Sequence, residues 1–222
     1  WDVPIFLLEA VFFAATKTLT LNEAMPLRRA GTASCRLLDA VGAGSFYKVE
    51  DGERSYMLAD GSFAKVVRPD GVLLLSDIKM RTEPVMKNSS ASVWDLGDGV
   101  LCFEFTSMAN SLDEGIMVML NKTISAIEKG DGYKALVIHN EGKNFSVGAN
   151  IGVMLFSANI AAWPQLQAGI KGGQDVYMKL RFGKFPVVSA PSGIAVGGGC
   201  EILMHSDAVQ AHAETYTGLV EV

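Results

Sequence analysis

The sequence predicts an α/β domain from about residue 90 onward, preceded by a helical segment and a short β-rich stretch. Three observations carry this. From Ser90 the apolar pattern reads strand, strand, helix, strand, helix, the order of elements in an α/β domain. Apolar and aromatic residues make up 49% of the 222 residues and charged ones only 19%, below the roughly 25% typical of globular proteins. That balance excludes a disordered chain. It points to strands buried on both faces, or to a large surface meant for other subunits. Finally, Asp51-Gly52, Asp60-Gly61 and Asp70-Gly71 recur between the β-forming runs SFYKV, RSYML and FAKVV. Asp-Gly favours tight hairpin turns because both positions tolerate positive φ.

Taken in order, residues 1–40 read as helical. Leu7, Leu8, Val11, Phe12 and Ala15 fall on one helical face, and a weaker pattern runs from Asn22 to Leu38. Residues 41–89 form the β-rich linker, read as a small meander or as an irregular loop with turns. Residues 90–222 form the main domain. Val93–Asp95 and Val100–Thr106 read as a hairpin around Gly97-Asp98-Gly99. Ser111-Leu112-Asp113-Glu114 matches the S-x-x-E capping box, and Met117, Leu120, Ile124 and Ile127 follow at helical spacing. Lys129 and Gly130 close that helix. Ala135–His139 is a short buried strand. A helix spans about Pro164 to Arg181, weakened by Gly172-Gly173. Val187–Ala190 is a strand, Gly198–His205 a helix, and Val209–His212 a strand again.

The net charge of −5 argues against a nucleic-acid partner, since no basic stripe exists to neutralise phosphates. Cys35, Cys102 and Cys200 are scattered, with no CxxC, and read as reduced thiols of a cytoplasmic protein. His139, His205 and His212 lack metal-ligand spacing, so no zinc site is expected. The uncharged stretch Asn144–Ile170 is too polar for a membrane span, and Val3–Ala15 lacks the basic start of a signal peptide. Opening on Trp1 and stopping at Glu221-Val222, the chain reads as a piece of a longer protein.

Two glycine-centred turns stand out. One is Phe145-Ser146-Val147-Gly148-Ala149-Asn150-Ile151, just after the strand ALVIHN. The other is Gly197-Gly198-Gly199-Cys200-Glu201, between a strand and a helix. Free N–H groups at a helix start favour negative charge, and glycine lets a ligand approach the backbone. Such turns hold a phosphate or a developing oxyanion; equally, they serve as plain strand–helix connections. No Gly-Lys-Ser/Thr follows either turn, so neither is a P-loop. Glu201 sits among Ile202, Leu203 and Met204, and Glu221 follows Leu219-Val220. Two carboxylates brought together in an apolar setting form an acid/base pair; at a helix start, Glu201 also has a structural reading. His139, His205 and Cys200 read as structural. Met117, Met119 and Met204 read as core, although Met also suits an irregular acyl pocket.

The stretches VIHNEGKNFSVGANI and APSGIAVGGGCEILMHSDAVQAHAETYTGLVEV resemble the crotonase (enoyl-CoA hydratase/isomerase) superfamily. The likeness covers residues 90–222, with both motifs in the right order. LLDAVGAGSFYKVEDGERSYMLADG and RPDGVLLLSDIK resemble the linker of bifunctional fatty-acid oxidation proteins that place a 3-hydroxyacyl-CoA dehydrogenase before the hydratase. The resemblance implies a spiral of ββα units, here truncated before the C-terminal trimerising helices, with residues 1–40 as a remnant of a dehydrogenase-like domain.

It also implies roles. The N–H groups of Ala149 and Gly198 would form an oxyanion hole. Glu201 and Glu221 would activate the water added to a 2-trans-enoyl-CoA. The CoA would lie along Ser111-Leu112 and Ala149-Asn150-Ile151, with Gly148 and Gly197 also among the substrate-binding residues. Asn150 stands where many hydratases have Asp. The expected function is hydration of 2-trans-enoyl-CoA to 3-hydroxyacyl-CoA in β-oxidation. An isomerase, or a non-catalytic acyl-CoA-binding module, is the alternative. The partner is an acyl-CoA thioester. The parent is expected to be a homo-oligomer and the isolated piece inactive. Hydration needs no cofactor; NAD belongs to the dehydrogenase. Finally, Gly197→Ala is expected to be milder than Gly198→Pro, which removes an oxyanion donor, provided residue 197 does not need positive φ.

Overall fold

The computed structural model describes residues 40–220. The helices expected before residue 40, and Glu221, lie outside the described residues. The chain divides into two compact units, Trp1–Arg81 and Thr82–Val222.

In the first unit, β1 (Tyr47–Glu50), β2 (Glu53–Met57) and β3 (Phe63–Lys65) form an antiparallel sheet. These are the three expected β-forming runs, joined as a meander. Asp51 and Gly52 both have positive φ, 52° and 73°, the backbone of a two-residue hairpin turn. The second turn is wider: Leu58 N–H reaches Ser62 O, and the Asp60 carboxylate takes the Ser62 N–H and Oγ–H. Asp70-Gly71 joins no strands. Val72 N–H bonds Pro69 O at 3.1 Å, and the turn leads to the short helix α1 (Leu75–Lys79). Arg68 grips Asp77 of α1 through two hydrogen bonds, 2.8 and 3.2 Å long.

The second unit opens with β4 (Met86–Lys87), β5 (Ala91–Asp95), β6 (Val100–Phe105), α2 (Glu114–Lys129) and β7 (Ala135–His139). It continues with β8 (Asn144–Ser146), α3 (Ile151–Asn159), α4 (Trp163–Phe182) and β9 (Val187–Ala190). β10 (Ile194–Val196), α5 (Gly198–Met204), β11 (Ala208–Val209) and β12 (Tyr216–Gly218) complete it. The unit starts before residue 90 because β4 pairs with β5, Met86 opposite Val93.

One sheet has the order β11-β9-β7-β6-β5-β4, parallel from β11 to β6 and antiparallel beyond. A second, all-parallel sheet has the order β12-β10-β8. The core lies against the first sheet. Leu101, Phe103 and Phe105 of β6 and Leu136 and Ile138 of β7 pack with Ile116, Leu120 and Ile124 of α2 and Leu180 of α4. Alternation along β6 turns its odd-numbered residues to the helices. Each such side chain, fully buried, contributes about 1.5–3 kcal/mol. Phe105 meets Phe103 and Phe145 edge-on, at 5.5 and 5.6 Å, which ties β8 to the main sheet.

Four local features differ from the sequence reading. The N-cap of α2 is Asp113, whose carboxylate takes the Ile116 N–H at 2.9 Å; Ser111 is not the cap. The physical reason is tertiary: Ser90 Oγ donates to the other Asp113 oxygen at 2.7 Å and fixes the cap. The strand expected over Val209–His212 covers Ala208–Val209 instead, whereas α4 forms where expected and runs unbroken through Gly172-Gly173, held by Val176, Tyr177 and Leu180 in the core. Met204 is 58% exposed rather than core, whereas Met119 is buried and Met117 packs against the core. Helix α3 was not expected. Its sequence, IGVMLFSAN, is apolar all round and carries no helical period.

Candidate functional site

The second sheet positions both glycine turns. β8 runs straight into Val147-Gly148-Ala149, and β10 into Gly197-Gly198. The two strands are parallel neighbours, so both turns leave the carboxyl end of the same sheet. Ligands of open parallel sheets sit in the crevice outside those ends.

The turns touch. Gly148 has φ 86°, and a Cβ there would lie 3.0 Å from Gly198 N and 3.0 Å from Val196 O. A Cβ on Gly198 would lie 3.6 Å from Ala149 N, 3.2 Å from the Tyr177 hydroxyl and 2.8 Å from Leu112 Cδ1. The Ala149 and Gly198 nitrogens therefore border one small region. Neither N–H has an acceptor among the described residues. Gly198 opens α5, where N–H groups have no intrahelical partner. Ala149 forms a parallel bridge with Leu112, but its neighbours make the bonds: Leu112 N–H to Gly148 O, 2.8 Å, and Asn150 N–H to Leu112 O, 3.1 Å. The bridge thus fixes Ala149 without using its N–H. Two unspent backbone donors so placed can take the charge of an oxyanion.

Of the residues singled out in the sequence, the fold brings together Leu112, Gly148, Ala149, Asn150, Gly197 and Gly198. Ser111 precedes Leu112, with its N–H spent on Met108 O and its carbonyl on Ser107 Oγ. Asn150 caps α3 without a side-chain bond, and Ile151 opens that helix 73% exposed. Glu201 lies in the first turn of α5 with an exposed side chain. Gly197 N–H bonds Gly218 O at 3.0 Å, which places β12, the strand leading to Glu221, beside the second turn. His139 and His205 make the structural contacts expected of them. His139 Nδ1 bonds Ala190 O, and His205 Nδ1 bonds Glu201 O, each at 2.7 Å.

Three residues at the turns went unnoticed in the sequence. Tyr177 of α4 reaches Gly198 O through its hydroxyl, 3.3 Å. Ser146 and Asn110 join the first turn to the 3-10 segment Met108–Asn110. Only the S-V-G spacing of Ser146 hinted at this; Tyr177 and Asn110 act across long sequence separations. No cluster of His, Cys, Asp and Glu suited to a metal ion occurs among the described residues. No helix among them is long and apolar enough to cross a membrane.

Paired glycine turns at the ends of parallel strands, with two amide donors that have no acceptor among the described residues, form a site from which a carbonyl or anionic oxygen could accept. Residues 97–222 match the family described as Enoyl-CoA hydratase/isomerase, and the chain belongs to that family.

The chain is 36% identical over 177 residues to a Bacillus subtilis protein named "Probable 3-hydroxyacyl-CoA dehydrogenase", covering 80% of this chain and 22% of that protein. It is 32% identical over 146 residues to a Rickettsia felis protein named "Putative fatty acid oxidation complex trifunctional enzyme", covering 66% of this chain and 20% of that one. Among solved structures, enoyl-CoA hydratase from Bacillus anthracis superposes with a TM-score of 0.54 at 22% identity, over 60% of this chain and 51% of the other. That likeness shows the crotonase fold. The chain spans about a fifth of the length of the curated relatives it matches.

Proposed function

We propose that this chain forms the thioester-binding part of an enoyl-CoA hydratase that converts 2-trans-enoyl-CoA to 3-hydroxyacyl-CoA. In the whole protein, a cytoplasmic enzyme of fatty-acid β-oxidation, an NAD-dependent 3-hydroxyacyl-CoA dehydrogenase would accompany it. The names of the relatives support the pairing. The observation that carries the reading is the contact of the Gly148 and Gly198 turns, with the Ala149 and Gly198 N–H groups unspent.

In this reading the thioester carbonyl oxygen accepts from both N–H groups. Glu201 and Glu221 hold one water between them. The water oxygen bonds to C3, the C2–C3 double bond gives its electrons toward the carbonyl, and the enolate-like oxygen carries the charge. A proton then reaches C2 by way of a carboxylate, so one water is added in all. Preorganised donors stabilise that oxygen charge more than the neutral substrate. Ser111, Leu112, Asn150 and Ile151 would line the CoA path. Hydration itself needs no cofactor. The exposed Phe156 of α3, Ile160 just after it and Trp163 at the start of α4 support a homo-oligomeric parent, and an isolated piece without its partners would be a poor catalyst.

The test is Glu201→Gln in the full-length protein that carries this chain. The change keeps shape and removes a proton acceptor. Hydration of crotonyl-CoA should fall mainly in kcat, by about 10²-fold or more, with CoA binding retained. Hydration near the wild-type rate would make Glu201 structural and overturn the assignment.

A further inference from the structure

We infer that the Ser146 hydroxyl is a positioning group that holds the Ala149 donor in place against the Gly198 donor, whose helix rests on the Ser146 carbonyl and Cβ. The inference rests on the oxyanion reading above and names the residue that holds its geometry.

Ser146 ends β8 and is fully buried. Its Oγ accepts the Gly148 N–H at 3.2 Å and donates to Asn110 O at 2.7 Å. The hydroxyl proton therefore points to Asn110, and a lone pair faces the first turn. Asn110 is itself fixed. It has φ 55° and anchors its side chain by donating from Nδ2 to Asn144 O at 2.8 Å. The bond from Ser146 to Gly148 spans the residue where the chain leaves the strand, and it closes the turn that presents Ala149 N–H.

The same residue braces the second turn. A Cβ on Gly199 would lie 2.7 Å from Ser146 O and 2.9 Å from Ser146 Cβ. The backbone of α5 thus rests directly on Ser146, one residue after Gly198. One side of Ser146 ties down the Ala149 turn, and the other limits how near the Gly198 turn comes. Oxyanion donors act only when held at hydrogen-bond distance from the charged oxygen, and small misplacements near a reacting centre are costly. Ser146 touches no reacting atom and acts through the two turns.

The test compares Ser146→Ala with Ser189→Ala in the full-length protein. Ser189 is equally buried and shares its hydroxyl with Ser206 at 2.7 Å, on β9, and serves as the control for the loss of a buried hydroxyl. The probe is a conjugated dienoyl-CoA thioester, whose absorption moves to longer wavelength when its carbonyl oxygen is polarised.

Wild type and Ser189→Ala should show the full red shift and the same kcat. Ser146→Ala should show a reduced shift, a kcat about tenfold lower and nearly unchanged thioester binding. That loss is smaller than the roughly 10² to 10³ for deleting a donor. If Ser146→Ala fails to fold, Ser146→Cys replaces it. Cysteine keeps the shape but offers weaker hydrogen bonds, and a folded cysteine variant should show an intermediate shift. A full red shift in the folded alanine or cysteine variant overturns the inference while leaving the oxyanion reading intact. Absence of any shift in wild type overturns that reading, and the inference with it. A kcat in Ser189→Ala as low as in Ser146→Ala overturns the positioning role alone.

Discussion

A Cβ on Gly148 would stand 3.0 Å from the nitrogen of Gly198, although 49 residues of sequence lie between the two. The two turns are in direct contact. Gly148 also holds φ 86°, a region that strains other residues. Gly148→Ala is therefore expected to lower stability by about 1–2 kcal/mol and to displace the donors together. Equilibrium unfolding and crotonyl-CoA turnover of the same variant check this. A stable variant of wild-type activity would show that the turns tolerate a wider spacing.

The condition for Gly197→Ala to be the milder change, that residue 197 does not need positive φ, is not met. Gly197 has φ 52° and ψ −126°, outside the ordinary left-handed well and open essentially to glycine alone. Its N–H also bonds Gly218 O. Alanine there is expected to cost about 1–3 kcal/mol and to disturb β12 as well as the turn. A thermal melt within a degree or so of wild type would mean that the backbone at 197 relaxes freely.

Asp113 and Ser111 give opposite expectations in the same loop. Asp113→Ala removes the cap of α2 and leaves the Ser90 hydroxyl only its long contact with Ser89 Oγ, 3.5 Å, for a loss of about 0.5–2 kcal/mol. Ser111→Ala removes a hydroxyl with no partner among the described residues and is expected to be near neutral. Urea midpoints of the two variants decide it; a larger loss for Ser111→Ala would restore the S-x-x-E box.

The capping residue shows where sequence reading stops. The S-x-x-E pattern placed a helix start within two residues, and Gly130, with φ 77°, closes that helix as its sequence foretold. Choosing between Ser111 and Asp113 needed Ser90, which sequence places far away. Helix α3 was illegible for another reason: with apolar residues on every face, no period marks it. The short strands β8, β10 and β12 are too brief to show alternation, and their pairing is non-local. The two turns were visible because glycine reports backbone constraint directly. Their contact, and the part of Ser146 and Tyr177 in it, is a property of the fold.

The last expectation concerns acid stability in the first unit. The Arg68 guanidinium donates to Asp77 at 2.8 and 3.2 Å. That hydrogen bond holds the Asp77 carboxyl below its ordinary value; partial burial opposes it, and the charges of Arg68, Arg54 and Arg81 add to it. Because the folded value lies below the unfolded one, the unfolded chain binds the proton first as pH falls. The pair's contribution is complete above the unfolded value of about 3.9, and is lost as pH falls through the folded value. The pair is partly exposed at the surface, so its worth is about 1 kcal/mol at most. Arg68→Met removes the donor and keeps an aliphatic stem. The Asp77 carboxyl should then titrate closer to the ordinary value, and the variant, already without the pair's contribution above that value, should lose less further stability than wild type as pH falls through the window. An NMR titration of the Asp77 side-chain carboxyl carbon in both proteins measures this directly. Coincident titration curves would show that Arg68 contributes packing rather than charge.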